Sequence, residues 1–148
     1  MTAPRRWALR LSASAEGRDQ AVDAVSEGCR SACAGLTEVA SRRFEDEVLS
    51  ALAEALSNVT VHAYRDAPAD SALELEVEVE PGSLTLRVKD WGHAFDIGQV
   101  SRPNLKSLPE SGMGMFIIKK CMDEVGYTPG EPNVLTLTKR VGKTKGRS

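Results

Sequence analysis

The sequence predicts an α+β domain of three helices and four strands. Two stretches, 16–36 and 41–64, carry apolar residues at helical spacing, and 113–125 does so near the C-terminus. Residues 73–79 and 84–88 alternate apolar with polar or charged side chains, the period of half-buried strands. Residues 7–11 and 134–138 predict two further short strands, the first at a sheet edge.

The two long helices each have one apolar stripe that predicts a core-facing side. The first helix is expected to end near Gly35, and the second before Pro68, because proline disfavours helix in the residue that precedes it. The stripes consist of Val22, Val25, Cys29, Ala32 and Leu36 in the first helix, and of Phe44, Val48, Leu52, Ala55 and Val59 in the second.

The two alternating stretches are predicted to pair as an antiparallel hairpin. The sequence between them, 80–83, is Glu-Pro-Gly-Ser, which is typical of a turn. The outer positions of the first strand are glutamates, and those of the second include Arg87 and Lys89, so opposite charges can pair across the strands.

Composition bounds the kind of protein. The 148 residues predict a single domain, 1–148, and the net charge of −2 indicates neither nucleic acid nor an anionic membrane as a partner. No apolar run approaches the roughly 20 residues of a membrane span, and the run from Trp7 to Leu9 is too short for a signal peptide. Three cysteines cannot all pair within one chain, which favours a reducing compartment and a cytoplasmic location. The basic tail 141–148 is expected to be disordered.

One stretch of the second helix carries polar residues suited to chemistry. Glu54, Asn58 and His62 are each four apart, so they form a stripe beside the apolar face. An amide oxygen suits a hard cation such as magnesium, and a carboxylate can accept a proton from an attacking hydroxyl. A solvated polar edge of an ordinary helix is the alternative.

Two later stretches carry further candidate residues. Asp90 is in phase with the apolar residues of its strand, so its carboxylate is expected on the core face, where the amino group of a ligand would satisfy it. Gly92 allows close approach of the backbone to a ligand. Ser111-Gly112-Met113-Gly114-Met115 opens the third helix, where free N–H groups and the helix dipole favour an anion. A turn cap at Asp90 and a plain turn at the glycines are the alternatives.

Together these motifs resemble a known set. Glu-x-x-x-Asn-x-x-x-His at 54–62, Asp-x-Gly at 90–92 and Gly-x-Gly at 112–114 are similar, in order and separation, to the motifs of the GHKL (Bergerat-fold) ATPases. The strings at 57–64, 90–96 and 112–125 resemble more narrowly the anti-sigma factor serine kinases of bacterial partner-switching systems. The likeness covers residues from about 7 to 140.

The resemblance implies a fold and roles for individual residues. It implies a two-layer α/β sandwich, with helices on one face of a mixed, mostly antiparallel sheet, and ATP with magnesium (Mg2+) bound between the layers. It makes Glu54 the general base and Asn58 the magnesium ligand. Asp90 would bind the adenine amino group, with Gly92 beside the base and Asn133 a further candidate near the adenine. Residues 111–115 would cradle the phosphates under a lid of residues 98–111, and His62 would contact the helix end and the lid.

The resemblance also implies a function, with two departures from the pattern. The expected activity is that of an ATP-dependent serine/threonine kinase that phosphorylates a STAS-domain antagonist and binds a sigma factor or other effector, as a homodimer. Ala94 stands where the wider superfamily has a second glycine. Glu110 places an acid near the phosphates, and this acid favours the alternative of a nucleotide-binding module without phosphoryl transfer. A histidine kinase fragment is disfavoured, because no phospho-acceptor histidine precedes His62.

Overall fold

Five strands form one sheet within residues 4–64, 71–94 and 113–142, the parts of the chain that the computed structural model describes. Their order is β1-β2-β3-β5-β4, and each neighbouring pair is antiparallel. The sheet is therefore antiparallel throughout its described strands, and β1 lies at an edge as predicted. The strands are β1 (Arg5–Ser12), β2 (Ala72–Glu80), β3 (Ser83–Asp90), β4 (Glu124–Thr128) and β5 (Asn133–Arg140).

Three helices in the described part of the chain pack on one face of this sheet, which confirms the α+β sandwich. They are α1 (Ala15–Ala32), α2 (Glu38–Asn58) and α3 (Met113–Cys121). The side chain of Ser14 accepts from the Gly17 N–H at the start of α1, and that of Thr37 accepts from the Ala40 N–H at the start of α2. α2 continues into a five-residue π-helical turn, Val59–Ala63.

The core lies between the sheet and the helices. Both predicted helical stripes face it, except that Leu36 follows the end of α1 and is exposed. Residues with no exposed surface come from both layers: Val25, Val48, Leu52 and Ile118 from the helices, and Leu75, Val77, Leu86 and Leu137 from the strands.

The predicted hairpin is confirmed, and the charges pair on the outer face of the sheet. Gly82 has φ of +83° in the turn between β2 and β3. Glu76 is opposite Arg87 in register, and its carboxylate accepts hydrogen bonds from Arg6 Nε (3.0 Å), Arg87 Nη1 (3.1 Å) and Lys89 Nζ (3.0 Å). Burial alone raises the pKa of the Glu76 carboxyl, but the hydrogen bonds and charges of Arg6 and Lys89 outweigh burial and hold that pKa at about 2.

The prediction that the third helix extends to Val125 was wrong. α3 ends at Cys121, and the residues from Glu124 form β4, which pairs with β5. The Asp123 N–H donates to Thr138 O at 2.9 Å, and the buried Lys139 Nζ donates to Cys121 O at 2.6 Å. These long-range bonds satisfy backbone groups that a longer helix would have used internally.

Several predicted features lie outside the described residues. They are the lid 98–111 with Glu110, the cradle residues Ser111 and Gly112, and residues 143–148 of the tail. The side chain of His62 is also outside what the structure describes. No helix in the described ranges is long and apolar enough to cross a membrane.

Candidate functional site

The C-terminal half of α2 presents Glu54 and Asn58 one turn apart, as the spacing predicted. Glu54 is half-buried, and Asn58 is buried with 7% of its surface exposed. Neither side chain makes a hydrogen bond or an ion pair with any described residue. No buried side-chain nitrogen or oxygen atom of the described residues lacks a partner, so the polar atoms of Asn58 reach the surface beside Glu54. An amide and a carboxylate that reach the surface side by side, without a bond to a described residue, are available to a ligand.

The start of α3 lies directly against these two side chains. A β-carbon built on Gly114 would lie 2.8 Å from Glu54 Oε2 and 3.3 Å from Asn58 Oδ1. A carboxylate oxygen and an amide oxygen thus meet the first turn of a helix, where backbone N–H groups are free and the dipole favours an anion. Only glycine leaves this space open.

The other members of the predicted cradle divide into two groups. Met113 is half-buried at the first position of α3, and Met115 packs in the core with 1% exposure. The side chain of Met115 is therefore structural, and its backbone alone is available to a ligand. Ser111 and Gly112 precede the described helix.

Asp90 ends β3 on the core face, in the phase that its strand predicted, and is 3% exposed. Its Oδ1 accepts from the Gly92 N–H at 3.0 Å and from Asn133 Nδ2 at 2.9 Å. The Gly92 bond is the turn cap considered as the alternative for Asp90. Both bonds use the same oxygen, and no described residue donates to Oδ2, so the cap leaves one carboxylate oxygen for a ligand.

Asn133 holds the carboxylate of Asp90 and the loop beyond it. It is opposite Asp90 in register and 1% exposed. Its Nδ2 donates to Asp90 Oδ1 and to Gly92 O, both at 2.9 Å, and its Oδ1 accepts from the Gly130 N–H at 2.9 Å. Because both amide hydrogens are used, Asn133 has none left to donate to an adenine, and its contribution is to position Asp90.

Gly92 brings the Asp90 loop onto the end of the α2 segment. A β-carbon on Gly92 would lie 2.1 Å from Ala63 O, and the His93 N–H donates to the same carbonyl at 2.8 Å. The close approach of two backbones explains the glycine. The π-helical turn Val59–Ala63 therefore connects the pair Glu54 and Asn58 to the pair Asp90 and Gly92.

Sequence reasoning did not identify Tyr64, which bonds to the same loop. Its hydroxyl donates to Ala72 O at 2.6 Å and accepts from the Trp91 N–H at 3.0 Å. Tyr64 also lines an outer cleft of about 550 Å3, together with Trp91 and Arg10, whose guanidinium stacks on the Trp91 ring at 5.6 Å. The only signal in the sequence was the position of Tyr64, two residues after His62.

The donor set suits a cation that is held jointly with phosphates. No group of three or more His, Cys, Asp or Glu side chains is placed to hold a metal within the described ranges. One amide oxygen, Asn58 Oδ1, lies beside a helix start and bonds to no residue that the structure describes. This set fits magnesium, which keeps most of its ligands as waters and substrate phosphates.

Comparisons with known proteins identify the family of the chain. Residues 5–139 match the family model described as "Histidine kinase-like ATPase domain". The chain is 30% identical over 101 residues to an anti-sigma F factor of Pasteuria penetrans, an alignment that covers 64% of this chain and 67% of that protein. It is 27% identical over 106 residues to the serine-protein kinase RsbW of Staphylococcus aureus, covering 66% of this chain and 67% of the relative.

Proposed function

Because the chain belongs to the histidine kinase-like ATPase family, we propose that it is an ATP-dependent protein serine/threonine kinase of a bacterial partner-switching system. The observation that carries the proposal is the meeting of Glu54 Oε2 and Asn58 Oδ1 at the space above Gly114. Phosphoryl transfer needs positioned phosphates, charge neutralisation and a proton acceptor for the incoming hydroxyl. The space above Gly114 admits the phosphates, Asn58 Oδ1 is the ligand for the neutralising cation, and Glu54 Oε2 is the proton acceptor.

The base and the sugar-phosphate portion of ATP contact different parts of the site. The Oδ2 of Asp90, to which no described residue donates, accepts a hydrogen bond from the adenine amino group, and Gly92 lets the Asp90 loop lie on Ala63. Backbone N–H groups at Met113 and Gly114 bind phosphate oxygens at the start of α3. Asn58 Oδ1 holds magnesium, which neutralises phosphate charge when it is bound.

Glu54 acts as the general base. The hydroxyl oxygen of the protein substrate forms a bond to the γ-phosphorus, the bond from that phosphorus to the bridging oxygen breaks, and ADP leaves. The hydroxyl proton passes to Glu54, whose carboxylate oxygen lies 2.8 Å from the Gly114 β-carbon position. A carboxylate that makes no bond to the described part of the protein is free to accept that proton.

The substrate would be a STAS-domain antagonist, and the second partner a sigma factor or other effector that the protein sequesters. The names of the two relatives, an anti-sigma F factor and a serine-protein kinase, support binding of a sigma factor and kinase activity, while the STAS-domain substrate follows from the family that the motifs resemble. A homodimer and a cytoplasmic location complete the proposal, by analogy with the family that the motifs resemble. Three free cysteines agree with a reducing compartment.

A phosphotransfer assay with the variant Glu54→Gln tests the proposal. Purified protein, magnesium, radiolabelled ATP and a STAS-domain antagonist are incubated, and label on the antagonist is measured. We expect Glu54→Gln to keep ADP affinity and to lose at least about 100-fold in transfer rate, because an amide cannot accept the proton. The matched control is Glu38→Gln, an exposed glutamate in the first turn of the same helix.

The outcomes separate the two candidate functions. Transfer by wild type and by Glu38→Gln, but not by Glu54→Gln, supports the kinase. ADP binding without any transfer by wild type supports the nucleotide-binding module. Equal transfer by Glu54→Gln and wild type removes Glu54 as the base.

A further inference from the structure

Tyr64 occupies the junction between the two halves of the site. It follows the π-helical turn directly, and its backbone N–H donates to Val59 O at 2.9 Å. Its ring lies against the Asp90 loop, since a β-carbon on Gly92 would come within 2.6 Å of Tyr64 Cδ1. The residue thus contacts both the helix that carries Asn58 and the loop that carries Asp90.

The Tyr64 hydroxyl makes two hydrogen bonds, one to the start of β2 and one to the residue that follows β3. It accepts from the Trp91 N–H and donates to Ala72 O, so the residue after Asp90 is bonded through one oxygen to the start of β2. Burial raises the pKa of this hydroxyl, which keeps its proton available for Ala72 O. Within the described residues, the Tyr64 hydroxyl is the one group that bonds to the Trp91 N–H.

We propose that Tyr64 is a positioning residue that sets the selectivity of the site for adenine over guanine. The inference rests on the proposed function, in which Asp90 Oδ2 accepts from the amino group of adenine. Guanine carries a carbonyl oxygen at the equivalent position of the ring, and that oxygen repels a carboxylate. A site rejects the wrong partner strongly only when its polar group cannot move away from it.

Two sets of bonds hold the carboxylate in place. The Gly92 N–H, within the loop, and Asn133, on β5, hold Oδ1, and the Tyr64 hydroxyl ties the Trp91 backbone to the start of β2. Removing the Tyr64 hydroxyl leaves the bonds on the β5 side and the bond from the His93 N–H to Ala63 O intact, and frees the residue after Asp90 on the β2 side alone. The expected effect is therefore a loss of selectivity and not a loss of the fold.

The test compares Tyr64→Phe with Tyr127→Phe, since these are the only two tyrosines in the chain and Tyr127 lies on β4. Affinities for ADP and GDP are measured by calorimetry with magnesium present. We expect Tyr64→Phe to weaken ADP binding about tenfold and to change GDP binding little, so the ratio of ADP affinity to GDP affinity falls about tenfold. Tyr127→Phe is expected to keep the wild-type ratio.

The outcomes distinguish this inference from the proposed function. If wild type binds ADP and Tyr64→Phe keeps the wild-type ADP to GDP ratio, the role of Tyr64 is refuted while nucleotide binding stands. If wild type binds neither nucleotide, the proposed function fails and the inference fails with it. An equal loss of both affinities in Tyr64→Phe also refutes selectivity, because it indicates general damage to the site.

Hydrogen exchange of wild-type protein gives a second measurement that does not need the variant to fold. The Trp91 amide is expected to exchange at least about 100-fold more slowly than an unstructured amide, and more slowly again with ADP bound. Exchange of the Trp91 amide at the unstructured rate, with or without ADP, overturns the proposal.

Discussion

Replacing Gly92 by alanine tests whether the Asp90 loop must lie directly on the helix end. The added β-carbon would lie 2.1 Å from Ala63 O and 2.6 Å from Tyr64 Cδ1. Protein β-carbons do not approach other heavy atoms within 3.0 Å. The loop or the helix end must therefore move by about 1 Å, and on the helix side Ala63 and Tyr64 are both buried.

The movement has an expected cost in both stability and binding. Ala63 O belongs to the backbone and accepts from the His93 N–H, so it cannot rotate away as a flexible side chain would. Overpacking of this kind costs about 1–3 kcal/mol in the free energy of unfolding, which lowers the melting temperature by roughly 3–10 °C. Because Asp90 precedes Gly92 by two residues, ADP affinity is expected to fall at least about tenfold.

Gly126→Ala is the matched control, since a β-carbon at Gly126 on β4 meets nothing within 4 Å. Thermal melting and ADP calorimetry are carried out on both variants and on wild type. Gly126→Ala is expected to stay within about 0.5 kcal/mol of wild type. If Gly92→Ala melts and binds like Gly126→Ala, the close approach does not exist in solution and the argument for the glycine is wrong.

Two further predictions follow from contacts of other kinds. Gly114→Ala places a β-carbon 2.8 Å from Glu54 Oε2, which is the flexible end of a side chain, so the free energy of unfolding is expected to change by less than about 1 kcal/mol. ATP binding, measured by calorimetry, and phosphoryl transfer are expected to be lost. If the variant keeps ATP binding and transfer, the start of α3 does not bind the phosphates. The pKa of the Glu76 carboxyl is lowered from 4.5 to about 2 in the folded protein, so its contribution to stability is fully present above pH 4.5 and is lost as pH falls toward 2. Acid unfolding of Glu76→Gln should lack this dependence, whereas Glu80→Gln, an exposed neighbour on the same strand, should retain it.

Periodicity predicted the helices and strands that bury one apolar face in the core. The alternation of β2 and β3 predicted their antiparallel pairing and the inward direction of Asp90, because a strand that buries one face fixes the parity of every residue in it. The helical stripe of α2 likewise placed Glu54 and Asn58 together. Local spacing is sufficient for features of this kind.

Features that depend on distant partners were not predictable. The predicted helix 113–125 includes only the first two residues of β4, and the five residues of β4 are too few to predict a strand by alternation, so its pairing with β5 decides the outcome. Tyr64 and Trp91 are 27 positions apart, and Asn133 and Asp90 are 43 apart. No short-range pattern links such pairs.

The widening of α2 into a π-helical turn was also missed, although one local cause is visible. The Thr60 hydroxyl donates to Leu56 O at 3.1 Å, which competes with the backbone bond of an α-helix. Val59, Thr60 and Val61 are all β-branched, and such residues fit the α-helix less well. These preferences are small and did not outweigh a continuous apolar stripe.

This wide turn makes the number of residues between Asn58 and Tyr64 as important as their identity. A π-helical turn holds one residue more than an α-helical turn, so deletion of a single residue within Val59–Ala63 would restore ordinary helix geometry. Because the wide turn absorbs the extra residue, the residues that follow would keep nearly the same rotation about the helix axis after such a deletion, whereas one inserted residue would rotate them by about 100°. With an insertion the Ala63 carbonyl would no longer meet the His93 amide, so the segment should accept exchanged side chains or a single deletion far more readily than an insertion.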